Sequence, residues 1–142
     1  MAQSTVSGRR FAADALRRVV ASVCSAAGCA DDEAAAIARR LVDANLAGHD
    51  SHGVIRLPRY IRDLANGGVI ANRHASVVLD TGALVVIDGN NGFGQVIGAE
   101  AMAIGIATAK RHGACVLVLR NSAHLGRIAD RAEMAADAGL AS

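Results

Sequence analysis

Residues 84–98 read Leu-Val-Val-Ile-Asp-Gly-Asn-Asn-Gly-Phe-Gly-Gln-Val-Ile-Gly, and the fold class follows from this stretch. Its first four residues are an apolar run rich in β-branched side chains, which is typical of a strand. The glycine-rich loop that follows leads into an Ala-rich helix, which we expect from about Gln95 to Arg111. A strand that passes through a loop into a helix predicts an α/β protein.

The glycines of this stretch do not have the spacing of a Rossmann dinucleotide fold. Gly92, Gly94 and Gly98 give G-x-G-x-x-x-G, one residue longer than the fingerprint. The strand before the loop is also predicted to pair in a hairpin through residues 80–82, whereas the fingerprint needs a parallel unit. Arg120 stands where that fold needs an acidic residue. We therefore predict a mixed, non-Rossmann sheet, and the loop glycines serve either ligand binding through backbone N–H groups or close packing.

The residues after this helix predict one more strand and one more helix. Residues 115–119 are continuously apolar, so we expect a strand buried on both faces. Residues 120–124 form its polar end, and residues 125–138 are expected to be helical up to Gly139. Residues 140–142 look like the opening of a further strand, which indicates a truncated chain.

The first half of the sequence is expected to be helical. Residues 9–27 carry an apolar helical stripe, and a second helix begins at an Asp31 cap and ends at Gly48. A short third helix begins at Pro58 and ends at residues 66–68. The buried face of the second helix is predicted to contain Ile37, Leu41 and Ala44.

Composition excludes several classes of protein. The chain has 142 residues, 52% of them hydrophobic, and a net charge of +2, which is too small to indicate a nucleic-acid partner. No window reaches the roughly 20 apolar residues that a membrane span needs. The three cysteines, Cys24, Cys29 and Cys115, lack metal-ligand spacing and are expected to be buried thiols in a reducing compartment. We expect a cytoplasmic protein.

Residues 48–60 read Gly-His-Asp-Ser-His-Gly-Val-Ile-Arg-Leu-Pro-Arg-Tyr and concentrate proton carriers and anion binders. A guanidinium such as Arg56 is a forked donor for a carboxylate, and a histidine titrates near pH 6.5, so His49 or His52 can move a proton. Two alternatives stay open. The stretch is either a solvated loop in which Asp50 or Ser51 caps a turn, or a metal module at His49, Asp50 and His52, although a third nitrogen or sulfur ligand is missing.

A second polar segment, residues 121–127, reads Asn-Ser-Ala-His-Leu-Gly-Arg. Its His124 follows the carboxyl end of a predicted strand, where open α/β sheets place ligands. The alternative is a polar residue that serves structure only. His74 and His112 are expected to be ordinary surface residues.

Residues 48–60, 92–95 and 121–127 resemble three sequence blocks of the malate/L-lactate dehydrogenase family, in the same order. That family includes ureidoglycolate, sulfolactate and related 2-hydroxy-acid dehydrogenases, together with imino-acid reductases. The resemblance covers essentially the whole chain and corresponds to the N-terminal portion of family members. It implies residues 1–75 as a helical substrate-side segment and residues 76–142 as the first, incomplete part of a cofactor-binding domain.

The resemblance also implies an activity and a set of site residues. Family members are NAD(P)-dependent oxidoreductases, usually dimers, that transfer a hydride between the nicotinamide and a 2-hydroxy or 2-oxo acid such as malate or lactate. Ser51, Arg56 and Tyr60 are implied to line the substrate site. His124 matches the proton acceptor of ureidoglycolate-type members, whereas Ser51 and His52 match the proton relay of the reductases, so the choice between His124 and His52 stays open. The implied cofactor wall is His124, Leu125, Gly126, Arg127 and Ile128.

Two features of the sequence depart from the family pattern. Ala129 replaces a common glycine and Arg131 a common aromatic residue, and further site residues of the family, an acidic residue and a lysine, are expected beyond Ser142. The alternative to an enzyme is therefore a non-catalytic remnant, or a module that depends on a partner. The sequence does not choose between NAD and NADP, or among the 2-hydroxy acids.

Overall fold

The computed structural model describes residues 10–142, so the predicted helix start at residue 9 lies outside the described residues. Within that range the chain forms five α-helices and one three-stranded sheet. The elements, in chain order, are α1 (Ala13–Ala26), α2 (Asp31–Leu46), α3 (Leu57–Ala65), β1 (Ser76–Asp80), β2 (Leu84–Asp88), α4 (Gly94–His112), β3 (Val116–Arg120) and α5 (Ala129–Asp137). The predicted order of helical half, hairpin, helix and strand is confirmed.

Helices α1 to α3 pack around one apolar cluster. Ile37, Leu41 and Ala44 of α2 are fully buried, as predicted, because they recur on one face of the helix. Asp31 was expected as the cap of α2, but it is the first helical residue, and Ala30 precedes it without a side-chain cap. The backbone N–H of Ala30 instead donates to Oδ1 of Asn72, 2.7 Å away.

The sheet is mixed, as predicted. β1 pairs antiparallel with β2, and β2 pairs parallel with β3 after the crossover through α4. Val85 and Ile87 of β2 are buried against Ala101 of α4, which forms a second apolar cluster. The sheet therefore holds α4 on one face and directs the carboxyl ends of β2 and β3 to the same edge.

Two predictions about the C-terminal part are wrong. β3 was expected to be buried on both faces, but Val116 is 61% exposed and Val118 is 44% exposed, because only the α4 side of the strand is covered in the described structure. The last helix was expected from residue 125, but α5 begins at Ala129. Gly126 has a φ of +79°, which interrupts the helix upstream of that point.

The remaining expectations have simple outcomes. Cys24 and Cys29 are buried free thiols, and Cys115 is half-buried. His74 is a surface residue, as expected, with its side chain 68% exposed, and its Nδ1 lies 2.6 Å from Oε1 of Glu100. No α-helix within residues 10–142 combines the length and apolarity needed to cross a bilayer.

Candidate active site

The loop that carries the first polar stretch is held by Asn45, from the last turn of α2. Its Nδ2 donates to Oδ1 of Asp50 at 2.6 Å, and its Oδ1 accepts from the backbone N–H of Val54 at 2.8 Å. A Cβ at Gly53 would lie 2.3 Å from the Asn45 side chain, so glycine is required for this approach. The amide therefore ties both 3-10 turns of the loop, Asp50–His52 and Val54–Arg56, to α2.

Three imidazoles form a row above this loop. The rings of His49 and His52 are 4.6 Å apart, and those of His52 and His124 are 5.2 Å apart. The hydroxyl of Ser51 lies 2.9 Å from Nδ1 of His52. Residues 49–52 and residue 124 are thus brought together from two segments that are far apart in the sequence.

Beneath His124 lies a short buried chain of polar groups. The hydroxyl of Tyr60 is 2.9 Å from Nδ1 of His124, and Nε2 of Gln95 donates to the same hydroxyl at 2.6 Å. Tyr60 is 4% exposed and Gln95 is 1% exposed. The phenol ring also packs edge-on against Phe93, 6.0 Å away between centroids. This chain connects α3, α4 and the segment after β3.

A cavity of about 490 Å³ opens beside the imidazoles. Its wall consists of His52, Leu119, Asn121, Ser122, Ala123, His124, Leu125, Gly126 and Ile128. Four of the five residues predicted to form the cofactor wall are in this set. The fifth, Arg127, is not, because its guanidinium is 2.7 Å from carboxylate oxygens of Asp130 and Glu133.

Arg56 is not among the residues that line the cavity, but it lies close enough to His52 and His124 to contribute to the lowered pKa of both. Its Nε donates to the backbone carbonyl of Ser51 at 2.6 Å, which fixes the plane of the guanidinium. Neither Nη group has a hydrogen-bond partner among residues 10–142. The next arginine, Arg59, is instead 3.4 Å from the carboxylate of Asp63. Only the first of the two thus presents a free fork of donors.

The positive charge of Arg56 acts on both imidazoles of the site. Desolvation, with smaller contributions from Arg56 and His52, lowers the pKa of His124. The pKa of His52 is lowered by desolvation and then by His49 and Arg56. Burial raises the pKa of the Tyr60 hydroxyl. The two imidazoles are therefore neutral at pH 7 in a positive surrounding that favours a bound anion.

The predicted site residues do not all reach the cavity. His52 and His124 line it, whereas Ser51, Arg56 and Tyr60 are not among its lining residues. Tyr60 lies behind His124 and contacts that ring through its hydroxyl. The metal alternative has no geometric support within the described range, because no three His, Cys, Asp or Glu side chains converge there and Asp50 turns to Asn45.

The sequence left two roles open for the glycines of this loop, ligand binding through backbone N–H groups or close packing, and the surroundings of Gly94 distinguish them. A Cβ on this residue would lie 2.4 Å from the carbonyl oxygen of His124 and 2.6 Å from that of Ala123. The glycine therefore allows the start of α4 to touch the backbone that carries His124. Close packing is the role that the structure favours here.

Sequence reasoning missed Asn45 and Gln95. Asn45 is a polar residue one position after the buried Ala44, at the end of an otherwise apolar helix face. Gln95 follows the glycine pair directly, at the start of a helix whose buried positions are mostly small or apolar. The available signal in both cases was a polar residue beside apolar or small residues of a predicted helix, because such a group needs a partner once it is buried.

The pKa shifts predict how stability depends on pH. The pKa of His124 is lowered in the folded protein, so its protonation favours the unfolded chain and costs stability as the pH falls below about 6.5. The pKa of His74 is raised by Glu100, so that pair adds stability at low pH, which is lost as the pH rises through the folded pKa. Urea unfolding between about pH 7.5 and 5.5 should therefore show a shallower loss on acidification for His124→Gln and a steeper loss for His74→Gln. Equal slopes in all three proteins would contradict this assignment.

Comparison with known proteins agrees with this architecture. The sequence model described as malate/L-lactate dehydrogenase matches residues 11–142. The chain is 45% identical over 136 residues to hydroxycarboxylate dehydrogenase B of Escherichia coli K12, covering 96% of this chain and 38% of that protein. It is 40% identical over 137 residues to an L-lactate dehydrogenase of Cupriavidus necator, covering 96% of this chain and 37% of that protein.

A solved structure shows the same fold. The malate dehydrogenase of Pyrococcus horikoshii OT3 superposes with a TM-score of 0.87 at 36% identity, over 92% of this chain and 38% of that one. The chain thus spans less than two fifths of the length of each of these relatives. Because the family match covers nearly all of the described residues, the chain belongs to the malate/L-lactate dehydrogenase family.

Proposed function

We propose that this chain supplies the substrate side and part of the cofactor wall of an NAD(P)-dependent 2-hydroxy-acid dehydrogenase. The observation that carries the proposal is the convergence of His52 and His124 on one cavity, with ring centroids 5.2 Å apart. A proton carrier beside a cavity, with the free guanidinium of Arg56 acting on that proton carrier, is what oxidation of a 2-hydroxy acid, or reduction of a 2-oxo acid, requires.

Arg56 is the proposed anchor of the substrate carboxylate. Its two Nη groups match the two oxygens of a carboxylate, and its plane is fixed by the Ser51 carbonyl. The surrounding imidazoles add no negative charge that would compete for it. The substrate is therefore a small 2-hydroxy or 2-oxo acid, in keeping with the names of the relatives.

An imidazole is the proposed carrier of the proton on the C2 oxygen. His124 and His52 both line the cavity, and both have lowered pKa values, so each is neutral at pH 7. Acid–base help of this kind contributes about 10²–10⁴-fold to a rate. His124 is the better placed of the two, because Tyr60 and the backbone of Gly126 hold its ring, whereas Ser51 is the only hydrogen-bond partner of the His52 ring within residues 10–142.

The residues of the cavity fit part of a nicotinamide cofactor. The volume of about 490 Å³ lies in the range of small-ligand pockets, and Leu119, Leu125 and Ile128 supply apolar walls. Asn121 and Ser122 add polar groups at its edge. The cofactor would supply the hydride acceptor or donor, and either NAD or NADP is compatible with these residues.

Cofactor binding is the direct test of the proposal. Titration of the chain with NADH or NADPH should change the nicotinamide fluorescence, and His124→Gln should weaken binding about tenfold, which corresponds to ~1.4 kcal/mol. His112→Gln, at the far end of α4, is the matched control and should bind as well as the unsubstituted chain. No binding at millimolar cofactor would favour the non-catalytic or partner-dependent alternative instead.

The predicted homodimer and cytoplasmic location belong to the same proposal. Buried free Cys24 and Cys29 agree with a reducing compartment. The exposed Val116 and Val118 of β3 supply apolar surface for contact with further protein. Sedimentation of the chain at several concentrations measures its mass in solution, and a homodimer predicts twice the mass of one chain.

A further inference from the structure

The hydrogen bonds around His124 form a chain in which each donor and acceptor can be assigned. Nδ1 of His124 receives two contacts, from the backbone nitrogen of Gly126 at 3.2 Å and from the Tyr60 hydroxyl at 2.9 Å. A backbone N–H can only donate, so this contact favours an unprotonated Nδ1 that accepts. At 3.2 Å it is the longer of the two contacts, so the tautomer also depends on the Tyr60 hydroxyl at 2.9 Å.

The same reasoning extends to Tyr60 and Gln95. With Nδ1 unprotonated, the Tyr60 hydroxyl donates to it. The oxygen of that hydroxyl then has lone pairs left for a donor, and Nε2 of Gln95 occupies this position at 2.6 Å. The amide is 1% exposed, and its Oε1 has no hydrogen-bond partner among the described residues. Burying the amide oxygen without a partner costs free energy. The bond from Nε2 to the Tyr60 hydroxyl is therefore the contact that accounts for the position of this side chain.

We infer that Gln95 is a positioning residue which, through Tyr60, holds His124 in the neutral tautomer that carries its proton on Nε2. This inference rests on the proposed dehydrogenase function. Nε2 is the nitrogen without a partner among residues 10–142, and His124 lines the cavity. The nitrogen left for the substrate therefore presents an N–H.

The tautomer selects one form of the substrate. An Nε2–H donates to the carbonyl oxygen of a 2-oxo acid, but it cannot accept a hydrogen bond from the hydroxyl of a 2-hydroxy acid. The cationic groups that face His124, namely Arg56 and Arg59 with the neighbouring His52, also disfavour a second proton on the ring. The resting tautomer is thus arranged for binding the 2-oxo acid, whereas taking the hydroxyl proton of a 2-hydroxy acid at Nε2 requires the tautomer with its proton on Nδ1.

The proposal can be tested without cofactor or turnover. Long-range ¹H–¹⁵N spectra of the ¹⁵N-labelled chain distinguish a protonated ring nitrogen from an unprotonated one. We expect the spectrum of His124 to show the proton on Nε2. Gln95→Met keeps the approximate volume but removes the donor, so the Tyr60 hydroxyl is free to turn and the Nδ1–H tautomer should gain population.

A double-mutant cycle isolates the path through Tyr60. Tyr60→Phe removes the hydroxyl and should also raise the Nδ1–H population. Adding Gln95→Met to Tyr60→Phe should change the His124 spectrum no further, because the hydrogen-bonded path through the Tyr60 hydroxyl is already gone. Thr108→Val is the matched control, since Thr108 is another buried α4 residue whose hydroxyl has no partner in the described structure.

The results distinguish failure of the positioning role of Gln95 from failure of the proposed function. A proton on Nδ1 in the unsubstituted chain, or an unchanged His124 spectrum in Gln95→Met, overturns the inference. An additional effect of Gln95→Met in the Tyr60→Phe background also overturns it, because the amide then acts by another route. Loss of cofactor binding with the predicted tautomer intact would instead contradict the proposed function and leave the positioning role standing.

Discussion

Replacing Arg56 with Ala should weaken binding of a small 2-oxo acid by about 10- to 100-fold. A hydrogen bond to a charged group contributes about 1.5–3 kcal/mol, and the two Nη groups of Arg56 are without other partners in the described structure. The carboxylate is bound equally in the ground state and the transition state, so KM should rise while kcat changes little. Titration of the acid into labelled protein, followed at the His52 and His124 ring signals, measures the affinity directly.

Two further substitutions make this result specific. Arg56→Lys keeps the positive charge but loses the fork, so its affinity should fall between those of the unsubstituted chain and Arg56→Ala. Arg59→Ala removes an equal charge three residues away, where the guanidinium already pairs with Asp63, and should change affinity less than twofold. If Arg59→Ala and Arg56→Ala weaken binding equally, general electrostatic attraction explains it and the carboxylate assignment is wrong.

Local signals in the sequence were sufficient for most of the fold. The helix predicted at residues 95–111 is observed at Gly94–His112, because the β-rich run before it and the left-handed Gly113 after it are both local features. The hairpin was predicted for the same reason, since residues 80–82 favour a tight turn. The burial of individual strands was harder to predict than the order of the elements. The apolar run of β3 was the same whether one face or two were covered, so its exposure was not predictable from composition.

The sequence predicted which residue types belong to the site, but not the contacts between residues that are far apart in the chain. Residues 49–56 suggested acid–base chemistry and anion binding by residue type alone, and His124 was a candidate because it follows the carboxyl end of a predicted strand. The contact of Tyr60 with His124 joins residues 64 positions apart, so no spacing rule could supply it. Gln95 was visible in the sequence, but its role depends on its contact with Tyr60, and on the contacts of Tyr60 and Gly126 with His124, which exist only in the folded chain.

The second large effect is expected at Gly94, the residue at which α4 contacts the backbone that carries His124. Gly94→Ala should lower the free energy of unfolding by roughly 2–4 kcal/mol, because its Cβ would meet backbone carbonyl oxygens of Ala123 and His124 rather than a flexible side chain. Relief of this clash must move the segment that carries His124. Urea unfolding measures the stability loss, and the His124 ring spectrum should report a changed environment in the same protein.

Gly105→Ala is the control for this substitution, since it adds the same methyl group to the same helix. Its Cβ would come no closer than 3.4 Å to Leu117, an ordinary contact, and alanine favours a helix interior over glycine by about 0.5–1 kcal/mol. The control should therefore unfold at equal or higher urea concentration, with the His124 spectrum unchanged. Equal stability of Gly94→Ala and Gly105→Ala would show that the backbone of residues 123–124 yields easily, and a rigid support for His124 would then be excluded.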